Sequence, residues 1–126
     1  MKTWRLRFAS YKKGDDIFEM ILAGDKTIET RPRNPGSSKD YSNVKVGDIL
    51  LFCSVFSGRE IKREVTFVHS YDSVEKMLEK EDFEKILPGV GSKENYLKVI
   101  EDVKKKWGSE YARKLEKYGI VAMGFK

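Results

Sequence analysis

The chain has 126 residues, 40% of them hydrophobic, 12% aromatic and 36% charged, with a formal net charge of +5. This length makes one domain, residues 1–126, able to bury about two thirds of its unfolded surface. A single cysteine, Cys53, excludes an internal disulfide framework, and a single histidine, His69, leaves too few ligands for a His/Cys metal site. No metal and no cofactor is therefore expected. No apolar stretch approaches the roughly 20 residues needed to span a bilayer, and the opening "MKTWRLRFAS" lacks the continuous apolar segment of a signal peptide. No membrane partner and a cytoplasmic location are the expectations. The positive balance favours a polyanionic partner only mildly, and nothing in the sequence implies a protein partner. Glutamine is absent while Lys and Glu abound, as in thermophile proteins, although a biased genome explains that equally well.

Trp4, Leu6 and Phe8 alternate with Arg5 and Arg7, which predicts a first strand with one buried face. "GDDIFEMILAG" then reads as a short helix with Ile17, Phe18, Ile21 and Leu22 as its apolar stripe. Asp16 and Glu19 have capping-box spacing, and Gly24 is placed to end the helix in the left-handed conformation. "KTIETR" is a strand stopped by Pro32, and "PRNPGSSKDYSN" is a long loop. "VKVGD" enters an apolar strand running to Phe56, and "SGRE" turns the chain into "EIKREVTFVHSY".

The second half is helical. Ser73 caps a helix carrying Val74, Met77 and Leu78, and a further turn spans Phe83 to Leu87. After the break "LPGVGS", Ser92 caps a longer helix with Tyr96, Leu97, Ile100, Val103 and Trp107 at helical spacing. A short helix from Tyr111 to Tyr118 leads to a last strand, "GIVAMGF". Strands at both ends with helices grouped between argue against a parallel βαβ series. The expected fold is α+β, a small mixed or antiparallel β-barrel with helices packed outside. Its core draws on Leu6, Phe8, Ile28, Ile49, Leu51, Val65, Phe67, Val121 and Met123, with Tyr96, Ile100 and Trp107 seating the long helix.

The strand after Gly24 is loaded with charge. Thr27, Glu29 and Arg31 share one face and Ile28 and Thr30 the other, so only Ile28 is a core residue. The Glu29 face then looks outward or into a cleft, with Lys26 at the strand entrance, and the three charges add little to stability. An exposed Glu/Arg pair, worth about 0–1 kcal/mol, also fits that spacing.

Gly24-x-Lys26-x-x-Glu29-x-Arg31 resembles the G-x-K-x-x-E-x-R signature of the ASCH family, whose fold is PUA-like. The surroundings agree: a short amphipathic helix precedes the signature, "VGDILLF" follows a variable loop, and the chain ends in a strand. The resemblance covers essentially the whole chain and implies a small barrel with a cleft for RNA or a nucleotide, lined by Lys26, Glu29 and Arg31. A Lys beside a Glu in a partly desolvated cleft is drawn toward unusual protonation. Arg31 offers a planar fork for phosphate or a base edge, and Glu29 can accept from an exocyclic amine, orient Lys26 or act as a general base.

Two readings follow. The first is an RNA- or nucleotide-binding module. The second is a small hydrolase, since some ASCH proteins remove an acyl group from acetylated cytidine and others are assigned ribonuclease activity. The amidohydrolase type uses a Lys, a Thr and a Glu; Lys26 matches, but the threonine position falls at Glu29, with Thr27 and Thr30 nearby. Its glutamate would come from Glu75 to Glu84. The binding module is preferred. Tyr11, with Lys12 and Lys13, can border the cleft, and Arg33, Lys39 and Tyr41 form a basic, aromatic-bearing loop suited to tracking a backbone. "PGVGS" can present amides to an anion or serve as a simple cap and break. Lys104, Lys105 and Lys106 read as a solvated helix face, and His69 as an ordinary strand residue.

Overall fold

The computed structural model describes residues 1–8 and 11–126, and the side chains of 11–15 and Trp107 lie outside the description, so the expected role of Trp107 does too. Five strands, β1 (Thr3–Phe8), β2 (Ile28–Pro32), β3 (Ile49–Ser54), β4 (Glu60–Tyr71) and β5 (Ile120–Phe125), form one sheet in the order β1-β3-β4-β5-β2. The β1–β3 pair is parallel; β3–β4, β4–β5 and β5–β2 are antiparallel. β4 joins two halves, with Glu60–Glu64 lying along β3 and Val65–Tyr71 along β5. Its register shifts between Val65 and Phe67. A bulge there adds twist and lets the sheet curl.

The result is an α+β half-barrel rather than a closed one. Among the described residues no backbone ladder joins β1 to β2. Instead the Arg5 and Arg7 carbonyls on the free edge of β1 accept from Tyr41 Oη (3.3 Å) and Arg31 Nη2 (3.4 Å). Side chains thus seal the seam, and Pro32 at the end of β2 has no N–H to extend pairing.

Two apolar clusters lie on opposite faces of the curl. The inner one gathers Trp4, Leu6, Leu50, Phe52, Val65, Val121, Met123 and Phe125, with Phe18 and Ile21 of α1 (Tyr11–Ala23) closing over it. The outer one packs Ile28, Ile120 and Ala122 beneath α2 (Val74–Leu78), α3 (Phe83–Ile86), α4 (Lys93–Trp107) and α5 (Ser109–Tyr118). β5 is buried on both faces, which is why its sequence is a continuous apolar run. The terminal strands meet in the inner core, although a parallel doubly wound sheet is absent.

Three expectations change. In "ILLFCS" the innermost residues are Leu50 and Phe52, not Ile49 and Leu51, because an unbroken apolar run carries no alternation to read. The strand also ends at Ser54, leaving Val55 and Phe56 exposed in the turn. α1 starts at Tyr11, so Asp16 lies inside the helix and caps nothing; Lys12 and Lys13 favour helix without apolar periodicity to announce it. The Ser73 and Ser92 caps form as expected, each hydroxyl accepting from the N–H three residues on. In the "PGVGS" break, Gly89 and Gly91 donate their N–H groups to the Glu84 carboxylate (2.9 and 2.7 Å). Those amides already hold an anion from the chain itself.

Candidate functional site

β2 pairs with β5 so that Glu29 stands opposite Met123 and Arg31 opposite Val121. Directly opposed residues point to the same face of a sheet, and Met123 and Val121 belong to the inner core. Glu29 and Arg31 therefore face into the half-barrel. Of the two expected orientations, outward or into a cleft, the outward one is excluded: Lys26 is 5% exposed and Glu29 6%. Charge occupies a place where neighbouring strands lay down Leu, Val, Met and Phe.

Lys26 enters just ahead of β2. Its Nζ donates to Ile28 O (2.8 Å) and to Ile86 O at the end of α3 (2.6 Å), and lies 3.5 Å from Glu29 Oε1. These are three acceptors for the three protons of an ammonium. Burial pushes the Lys26 pKa down, while the Glu29 carboxylate pulls it back up. Glu29 accepts the Thr30 N–H on Oε1 (3.0 Å) and meets Arg31 Nη2 on Oε2 (3.4 Å). Its own burial raises its pKa, but Lys26, Arg31 and the Thr30 N–H together outweigh that and hold the carboxyl below its ordinary value.

Arg31 bridges the seam. Its Nη2 reaches both Glu29 and Arg7 O, and its guanidinium lies 5.3 Å from the Phe8 ring centre and 6.0 Å from that of Tyr41. With 24% of its side chain exposed, it is the solvent-facing member of the triad. Among the described residues its hydrogen bonds run through Nη2, which leaves the other edge of the fork for an incoming acceptor. Three phenols have pKa values that burial pushes up, so each remains a neutral donor: Tyr41 at the seam, and Tyr96 and Tyr111, which pack with the outer cluster on the other face of β2.

The remaining expected site residues divide. Tyr41 is at the seam. Arg33 follows β2, its N–H on Gly119 O (3.0 Å) and its Nε buried without a hydrogen-bonding partner among the described residues. Gly24, at φ +82°, ends α1 and makes the turn into Lys26, a geometric role. The side chain of Tyr11 lies outside the described residues. Phe8, Tyr96 and Tyr111 are additions that sequence spacing did not single out: Phe8 and Tyr96 read as ordinary core, and Tyr111 only as a helix boundary. Of the carboxylates from Glu75 to Glu84, Glu81 is held by His69 Nδ1 (2.7 Å) and the Tyr71 hydroxyl, and Glu84 by the two glycine amides.

No family model matches the chain, and no curated protein matches it. Among solved structures, the solution structure of protein PF0455 from Pyrococcus furiosus is similar, at 29% identity and a TM-score of 0.64, over 98% of this chain and 96% of that one. The crystal structure of hypothetical protein PH0355 is similar at 31% identity and a TM-score of 0.73, over 98% of this chain and 97% of that one. The half-barrel and its helices are thus shared over full length, and the chain belongs to the same family as hypothetical protein PH0355.

Proposed function

We propose that this protein is a PUA-like domain of the ASCH type that binds RNA or a nucleotide at the β1–β2 seam, with Arg31 as the recognition group and Lys26 and Glu29 as its buried support. One observation carries the reading: a buried Lys–Glu pair with an adjoining, partly exposed Arg stands at β2, where the Glu and Arg positions face the inner side of the sheet. Replacing such a pair by apolar residues is often neutral or stabilising, so its presence is poorly explained by stability. Buried, mutually perturbed charges concentrate at functional sites.

The same geometry favours binding over hydrolysis. A Lys26 ammonium with an acceptor for each proton has no lone pair to attack with. A Glu29 carboxyl held low by two cations is a weak general base. A titration with cytidine, acetylated cytidine and short single-stranded RNA, followed by NMR, tests the reading. Expected are shifts of the Glu29–Arg33 amides and of the Phe8 and Tyr41 rings without release of acetate. Acetate release would replace binding by hydrolysis as the function, and no shift with any ligand would overturn the proposal.

A further inference from the structure

A concavity of about 710 Å³ lies between the start of β1 and the loop leading to β3, lined by Lys2, Ser37, Ser38, Asn43, Lys45 and Trp4 among others. Its chemistry is that of an anion site. Among the described residues, neither Lys2 nor Lys45 forms an ion pair through its ammonium; Lys2 Nζ instead rests 4.0 Å from the Trp4 ring centre. The Ser37 hydroxyl accepts from the Lys39 N–H, which leaves its proton to donate. The one carboxylate lining the groove, Asp48, is 7% exposed and accepts from Lys2 N, Trp4 Nε1 and Lys45 N, each at 3.0 Å. Those three donors offset its repulsion of an anion and draw the Lys2 and Lys45 backbones to one wall.

A relay of side-chain contacts links the groove to the seam. From Arg31, contacts pass to the Tyr41 ring at 6.0 Å, from Tyr41 to Trp4 at 5.8 Å between ring centres, and from Trp4 to Lys2 at 4.0 Å. Tyr41 lies between the two sites, partly exposed, its hydroxyl on Arg5 O. Trp4 is 7% exposed and belongs to the inner core, so Tyr41 is the ring that solvent reaches, with a cation at either end of the strip. Basic grooves interleaved with aromatics are how proteins hold single strands.

We propose that the Lys2–Lys45 groove is a phosphate subsite for a single-stranded nucleic acid continuing out of the Arg31 seam, so that the ligand is an oligonucleotide rather than a free nucleotide. The inference rests on reading the seam as a nucleotide site. The test is affinity against chain length, using a mononucleotide, RNA oligomers of increasing length and inorganic phosphate alone. It compares the wild type with Lys2→Ala/Lys45→Ala and with Lys98→Ala/Lys105→Ala, which removes the same charge from exposed positions on α4. Wild-type affinity should rise with length. The Lys2/Lys45 double variant should lose about 10-fold of oligomer affinity with a log–log salt slope shallower by about 1, as expected for one or two lost single-strand phosphate contacts, and the control should not. Equal losses in both variants overturn the subsite, as does a groove that takes inorganic phosphate with no gain from chain length. A mononucleotide that shifts β2 while oligomers bind no better overturns the subsite and leaves the seam reading standing. Absence of any nucleotide binding ends both.

Discussion

Lys26 does two jobs whose costs differ. It neutralises Glu29, and it ties the start of β2 to α3 through the Ile28 and Ile86 carbonyls. Lys26→Met should therefore destabilise the fold by about 3 kcal/mol or more, because Glu29 stays buried without its nearest buried cation. Glu29→Gln keeps the shape but strands the ammonium, at a cost of about 2 kcal/mol. Denaturant midpoints measure both. The carboxyl of Glu29 also makes stability pH-dependent. Its folded pKa lies below the ordinary 4.5, so its contribution is present above that value and is lost as pH falls through the folded one. Asp48 behaves alike: hydrogen bonds from Lys45 and Lys2 N–H and the Trp4 indole put it below its ordinary 3.8. Midpoints followed downward from pH 6 should fall steeply below about pH 4.5, and less steeply in Glu29→Gln. The Gly24-to-Arg31 spacing singled out Lys26, Glu29 and Arg31, yet gave no sign of their burial. That depends on the pairing of Glu29 with Met123 and Arg31 with Val121 at the far end of the chain, which no local pattern encodes.

At the scale of elements, small fixtures set where the site sits. Asp48, after Gly47 in "VGD", fastens the start of β1 to the entry of β3 by its bonds to Lys2, Trp4 and Lys45. Asp48→Asn turns one acceptor into a donor facing an N–H, and should cost about 2 kcal/mol by thermal or denaturant unfolding. Gly119 links α5 to β5 at φ +86°, where an added Cβ would run into the Tyr71 carbonyl oxygen. Gly119→Ala should destabilise by about 3 kcal/mol, since left-handed strain is joined by a backbone clash that cannot swing aside. Elements with local chemistry were legible: β4 runs from Glu60 to Tyr71, the stretch that follows the "SGRE" turn signal, and Ser73 and Ser92 cap as their spacing requires. The start of α1 was not, because its first residues carry no apolar period. The inner face of β3 was not either, because every residue of "ILLFCS" is apolar or small.

For the molecule as a whole, the decisive feature is a barrel left open on one side. Tyr41 and Arg31 close the seam with side chains where a ladder would otherwise run, so a ligand that engages Arg31 meets side chains rather than a continuous backbone ladder. The net +5 charge and the loop from Arg31 to Tyr41 favour an anionic partner. Short single-stranded RNA should bind in preference to duplex DNA, with a shallow log–log salt slope of about −0.7 per phosphate contacted; equal affinity for the duplex would count against the seam as a single-strand site. The central claim, that Arg31 at the seam recognises the ligand, is tested most directly by Arg31→Lys, with unfolding midpoint and RNA affinity measured on the same protein. Lysine keeps the charge but not the planar fork. The midpoint should correspond to a change within about 1 kcal/mol, as for partly exposed positions, while affinity for a short single strand falls about 10- to 100-fold. A folded Arg31→Lys protein that binds RNA as tightly as the wild type would contradict the account.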